Sequence, residues 1–213
     1  MTEALYPFLS ARPSDVDAVD ALLAQVAEST REKIQDAIAL REVVFGADFA
    51  RLEDCAEAMA ERFAGGGRLL AFGNGGSSTD AQDLASLFVS AARPLPAFGL
   101  TNDVAVLTAL SNDVGFDVVF SRQVATFGRP GDIAVGLSTS GSSANLVQAF
   151  TQARRCGLLT IGFSGGDGGR MASSHDIDHL FVVPSPSVHR IQETQTTLYH
   201  VLWELTLAAM ESR

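Results

Sequence analysis

The chain has 213 residues, 46% of them hydrophobic and 19% charged, with 15 basic against 25 acidic side chains and a net charge of −10. A chain of that length buries about 70% of the surface its unfolded form exposes, so it needs no disulfide scaffold to fold. The acidic balance argues against a nucleic-acid binder and against an anionic membrane surface, since either needs a lysine and arginine excess.

The first 65 residues read as a helical pair used in packing or in building an oligomer. Ser14 is a candidate N-cap with Asp17 three residues on. Val16, Val19, Leu22, Leu23, Val26, Ile34, Ala37 and Ile38 then recur at helical spacing. The pattern predicts a second helix after Gly46, carried by Phe49, Leu52, Cys55, Met59 and Phe63 and stopped at Gly65-Gly66-Gly67. From Arg68 the rhythm changes to short, continuously apolar runs at Leu69–Phe72, Ala97–Leu100, Ile133–Leu137, Leu159–Phe163 and Leu180–Val183. Helical patterns separate them at about Thr79–Ala92, Val104–Leu110, Val118–Phe127 and Ala144–Cys156, and a long helix closes the chain from about Ser187 to Ser212. Strands alternating with helices, and apolar throughout, predict a parallel sheet covered on both faces. The fold class expected is therefore α/β, a three-layer sandwich with a helical N-terminal extension, all one domain over residues 1–213. The last helix carries Leu198, Val201, Leu202, Trp203, Leu205 and Leu207, too wide an apolar girth for a single face. That surplus, like the one on the N-terminal helices, predicts a homo-oligomer with closed symmetry.

Cys55 and Cys156 form no C-x-x-C pair and lie in apolar helical stretches, where a thiol packs as a small hydrophobe. The N-terminal segment lacks a basic leader, and no window reaches the roughly 18 apolar residues of a membrane span. The expectation is a soluble, cytoplasmic protein.

Two loops carry unusual chemistry. Gly73-Asn74-Gly75-Gly76-Ser77-Ser78 follows the first strand and Ser138-Thr139-Ser140-Gly141-Ser142-Ser143 follows the third. Glycines admit a ligand close to the backbone, helix N-termini present N–H groups to anions, and hydroxyls add donors without charge. One such cluster is ordinarily a turn. Two, each wedged between a strand and a helix, predict a bound phosphate group. Ser78 breaks the Gly-x-Gly-x-x-Gly fingerprint, and neither loop contains the lysine of a P-loop, so a phosphorylated small molecule fits better than a nucleotide.

These residues carry a resemblance. Gly73–Ser77 (GNGGS), Leu137–Ser143 with Asn145 (LSTSGSSAN), Gly165–Gly169 (GGDGG) and Arg190–Glu193 (RIQE) resemble, in order, the SIS (sugar isomerase) family, and within it the phosphoheptose isomerases. The resemblance runs from about residue 45 to the C-terminus. It implies a five-stranded parallel, flavodoxin-like sheet and a homotetramer with sites between subunits. It implies that Ser138, Thr139, Ser140 and Ser143 hold the phosphate of a phosphorylated sugar. Asn74, Ser77 and Asp113 would touch the sugar, and Gln192 and His200 would match the family's active-site glutamine and histidine.

Aldose–ketose isomerisation moves a proton between adjacent carbons through an enediol, and needs a base for carbon plus an acid or a metal for the oxygens. The family's glutamate base and the histidine one turn before it correspond to Leu87 and Asp83 here, and His189 replaces an aspartate. Three readings stay open. Asp83 acts as a displaced base, one turn or about 6 Å upstream; Glu193 serves from the last helix; or the chain binds a sugar phosphate without turning it over, as SIS regulators lacking that glutamate do. The non-catalytic readings include a regulator whose acidic surface meets a protein partner, and a partner of an active paralogue. No cofactor is required by the sequence, and zinc is left open on Asp83, Gln192 and His200. Gln192 and His200 stand eight residues apart, about 12 Å along one helix, which argues for ligation shared across subunits. The structural alternatives are a histidine satisfied in an interface for His200, a solvated face for Asp83 and a helix-end cap for Asp113. His175 and His179 read as exposed.

Overall fold

The computed structural model describes residues 16–212, so the proposed cap at Ser14 lies outside the described residues. By its contacts the chain divides into two units, Met1–Ala39 and Leu40–Arg213. The N-terminal pair of helices is in fact one helix, α1, running Val16–Ala64 over 49 residues and through Gly46. A mid-helix glycine costs only about 1 kcal/mol relative to alanine, and without a proline or a cap it does not end a helix. On either side of it, Val44, Leu52, Cys55, Ala56, Met59 and Phe63 are buried in one core, which outweighs that cost. The end at three glycines is as expected: Gly66 takes φ +84° and donates to the Phe63 carbonyl, and Gly67 donates to Arg62 at 2.8 Å. That pair of bonds is the Schellman arrangement.

The second unit holds a five-stranded parallel sheet in the order β2-β1-β3-β4-β5. Its strands are β1 (Leu69–Gly73), β2 (Ala97–Gly99), β3 (Ile133–Leu137), β4 (Leu159–Gly165) and β5 (His179–Val183). The intervening helices are α2 (Gly76–Val89), α3 (Val104–Asp113), α4 (Val119–Phe127, after a 3-10 turn at Phe116–Val118), α5 (Ala144–Arg155), the short α6 (Gly169–Ala172) and α7 (Val188–Glu211). Every residue of β1, β3 and β4 is buried, as doubly covered strands require. Alternate strand residues feed two cores. Leu69, Ala71, Val135, Ile161 and Phe181 meet α1, α2 and α7, whereas Leu70, Phe72 and Ala134 meet α4 and α5.

This strand order reverses direction between β1 and β3, and open α/β sheets bind ligands at such a switch point, beyond the C-terminal ends of the strands. Both glycine–serine loops fall there. No helix among the described residues is long and apolar enough to cross a membrane. The cysteine reading holds for Cys55, fully buried in the first core with burial pushing its thiol well above the ordinary value; Cys156 is half-buried against the second. His175 is exposed as expected, but His179 opens β5 half-buried, and burial lowers its pKa.

Candidate functional site

The β3–α5 loop is organised around one hydroxyl. Ser138 is buried, its N–H bonds the Phe163 carbonyl, and its Oγ lies 3.4 Å from both Ser140 Oγ and Ser143 Oγ. It also accepts the Gly141 N–H at 3.1 Å. Ser143 is the N-cap of α5, yet its side chain makes no capping bond, which leaves its hydroxyl facing the loop. Three hydroxyls thus converge at the positive end of a helix of 12 residues, a setting that suits an anion. Gly141 has φ +61°, and a Cβ there would fall 2.1 Å from the Gly168 carbonyl oxygen. The loop is buttressed by α6, which follows the Gly165–Gly169 turn: Met171 N–H donates to Gly141 O at 2.8 Å and Arg170 N–H to Ser142 Oγ at 3.2 Å. The role of that GGDGG segment is close backbone approach.

The first loop turns into α2 through Gly75, at φ +56°. Ser77 is buried in the first turn, its N–H on the Asn74 carbonyl. Asn74 and Asn145 exchange two side-chain hydrogen bonds, both 2.9 Å, which fasten this loop to α5. Asn74 therefore holds the two loops in register. Thr139 is half-buried beside Gly165 and Ile191, where its carbonyl leaves no room for a Cβ at residue 165. Asp113 ends α3, exposed, and accepts a bond from Asn112 at 2.8 Å.

Helix α7 joins the β3–α5 loop to a second polar cluster. Gln195, fully buried, approaches the Ser138 carbonyl with Nε2 at 3.4 Å. Gln192 lies over the start of α2, where a Cβ on Gly76 would be 2.3 Å from its amide nitrogen, and it reaches Asp80 Oδ2 at 3.4 Å. Further along, Tyr199 donates to Asp83 Oδ2 at 2.8 Å and His200 Nε2 stands 3.7 Å from the same oxygen. Burial raises the Asp80 carboxyl above its ordinary value; Gln192 opposes the shift and the Asp83 charge adds to it. Leu87, one turn beyond Asp83 on the same face of α2, packs against the core. Glu193 is exposed and paired with Arg190.

Of the residues singled out from the sequence, the structure brings together Ser138, Ser140 and Ser143, and separately Asp83 with His200 and Gln192 with Asp80. Asp80 and Tyr199 were missed. Asp80 precedes Asp83 by three residues on one helical face, a legible sign; Tyr199 reads in sequence as one more apolar position. Of the residues named for zinc, Asp83 and His200 face each other within one chain. Gln192 is turned to Asp80, and among the described residues no three His, Cys, Asp or Glu side chains converge as a metal site would require.

A flavodoxin-like sheet with two serine-bearing crossover loops at its switch point defines a class, and the SIS domain family model matches residues 34–165. The phosphoheptose isomerase of Desulfovibrio desulfuricans is 48% identical over 81% of this chain and 83% of its own length, and that of Aquifex aeolicus is 44% identical over 73% and 82%. The solved phosphoheptose isomerase of Neisseria gonorrhoeae superposes with a TM-score of 0.81 at 36% identity, covering 86% of this chain and 99% of that one. The chain belongs to the SIS family, on its phosphoheptose isomerase branch.

Proposed function

We propose that the chain is an aldose–ketose isomerase of the phosphoheptose isomerase type, interconverting sedoheptulose 7-phosphate and a manno-heptose 7-phosphate. Its phosphoheptose isomerase relatives support the substrate class. The observation that carries the reading is that one helix, α7, serves both clusters: Gln195 touches the Ser138 carbonyl and His200 faces Asp83. Those two residues are about 7.5 Å apart along the helix axis, a span that suits an extended sugar chain.

In this reading the phosphate rests on Ser138, Thr139, Ser140 and Ser143 at the N-terminus of α5, with Ser77 lining the other side. Asp83 takes the C1 proton of the ketose and returns it to C2 of the enediol, while His200 protonates O2 and accepts the proton of O1. Leu87 cannot accept a proton, so Asp83 does this work one turn upstream of the family's glutamate. Gln192 binds the sugar hydroxyls alongside Asp80. The active form is a homotetramer, supported by the exposed apolar residues Leu23, Val26, Ile34 and Ile38 on α1. It resides in the cytoplasm, where a doubly charged phosphate ester is retained.

The test is conversion of sedoheptulose 7-phosphate by the purified full chain, followed by NMR. Turnover is expected, falling by about 10²–10⁴-fold in His200→Ala. No turnover across a panel of ketose phosphates with binding intact, and activity appearing only in Leu87→Glu, would overturn it in favour of a binding regulator.

A further inference from the structure

Asp83 is a short side chain whose carboxylate is half-exposed on α2, and two groups of α7 compete for its Oδ2. His200 stands 3.7 Å away and Tyr199 donates at 2.8 Å. Tyr199 itself is 1% exposed, so its ring is fixed by the core and its hydroxyl is held against the Asp83 carboxylate. Burial holds that phenol protonated above its ordinary range; the Thr196 hydroxyl opposes this in part and the Asp83 charge reinforces it.

We propose that Tyr199 is a positioning residue for proton transfer: its phenol pins Oδ2 of Asp83, so that Oδ1 is presented to the substrate carbon and Asp83 is kept from closing onto His200. The inference rests on the isomerase reading above. Without the phenol, the carboxylate is free to rotate on an exposed helix face or to pair with the imidazole. Rotation misplaces the base, pairing with the imidazole takes base and acid from the substrate together, and small misplacements of this kind are costly in rate. The tyrosine is no acid in its own right, because its proton points at Asp83 and its body is enclosed. The restraint matters more here because Leu87 offers no second base on that face of α2.

The experiment is a double-mutant cycle on the full chain with sedoheptulose 7-phosphate, using Tyr199→Phe, Asp83→Asn and the pair, with the Tm of each variant recorded. Tyr199→Phe removes one buried oxygen and keeps the ring, so the fold is retained. The expected result is a kcat about tenfold lower in Tyr199→Phe with KM within twofold, a larger loss in Asp83→Asn, and no further loss when Tyr199→Phe is added to Asp83→Asn. A residue that merely packs would show the same loss in both backgrounds, or a change confined to KM and Tm, and either overturns the inference alone. A wild-type chain that binds the sugar without converting it overturns the isomerase reading and this inference with it.

Discussion

The hydroxyl of Ser138 is within reach of two other hydroxyls and one backbone N–H, so removing it takes away more than a single donor. Ser138→Ala leaves the Gly141 N–H without that partner and strips one contact from the anion. A hydrogen bond to a charged group contributes about 1.5–3 kcal/mol, which converts to about ten- to a hundredfold in affinity. In the proposed reading the phosphate is held equally in ground and transition states, so the loss falls on KM while kcat stays within about twofold, as initial rates will show. A drop confined to kcat would mean that the loop does not hold the phosphate. The grouping of these serines was legible in the sequence because strand, loop and helix N-terminus are contiguous there. Tyr199 was not, because its partner Asp83 is 116 residues away and only the packing of α7 on α2 unites them. Asn74 is a sugar ligand only by the resemblance, and the contact its amide makes with Asn145, also across a long gap, was not legible.

The strands and most helices follow from apolar runs and their periods, and their observed bounds lie within a few residues of those expected. Gly46 and α6 depart for opposite reasons: core contacts carry a helix through a glycine, and a tight glycine turn lets four residues coil where no pattern marks them. The junction of α5, β4 and β5 depends on a residue that no motif contains. Asp178 accepts the Thr160 N–H and hydroxyl at 3.0 and 2.9 Å and Arg154 Nη1 at 2.6 Å. Burial alone would raise its pKa, but the Thr160 bonds and the Arg154 charge outweigh that and lower it. A depressed folded pKa contributes stability that is fully present above the unfolded value of about 3.9 and is lost as pH falls through the folded value. Thermal melts should therefore show Tm falling in this chain below about pH 4. Asp178→Asn should lower neutral-pH stability by about 1–2 kcal/mol and flatten that acid slope. An unchanged slope in the variant would assign the acid sensitivity elsewhere.

At the scale of the whole molecule, the described part of the first unit leaves apolar side chains uncovered. Leu23, Val26, Ile34 and Ile38 recur at helical spacing and are 44–60% exposed, although side chains of this kind each gain about 1.5–3 kcal/mol on full burial. Among the described residues nothing covers these side chains, so a second copy of the chain is their natural cover. The wild-type chain should then run as a tetramer in light scattering at micromolar concentration. Ile34→Glu combined with Ile38→Glu places two charges in the contact and should yield smaller species with the helical signal of the second unit retained. Because the resemblance puts the family's sites between subunits, those smaller species should also lose turnover with sedoheptulose 7-phosphate, while Ser138 and its neighbours remain intact. A dissociated form that keeps full activity would confine the whole reaction to one chain's α2, α5 and α7, and a wild type that is monomeric at those concentrations would remove α1 from the assembly.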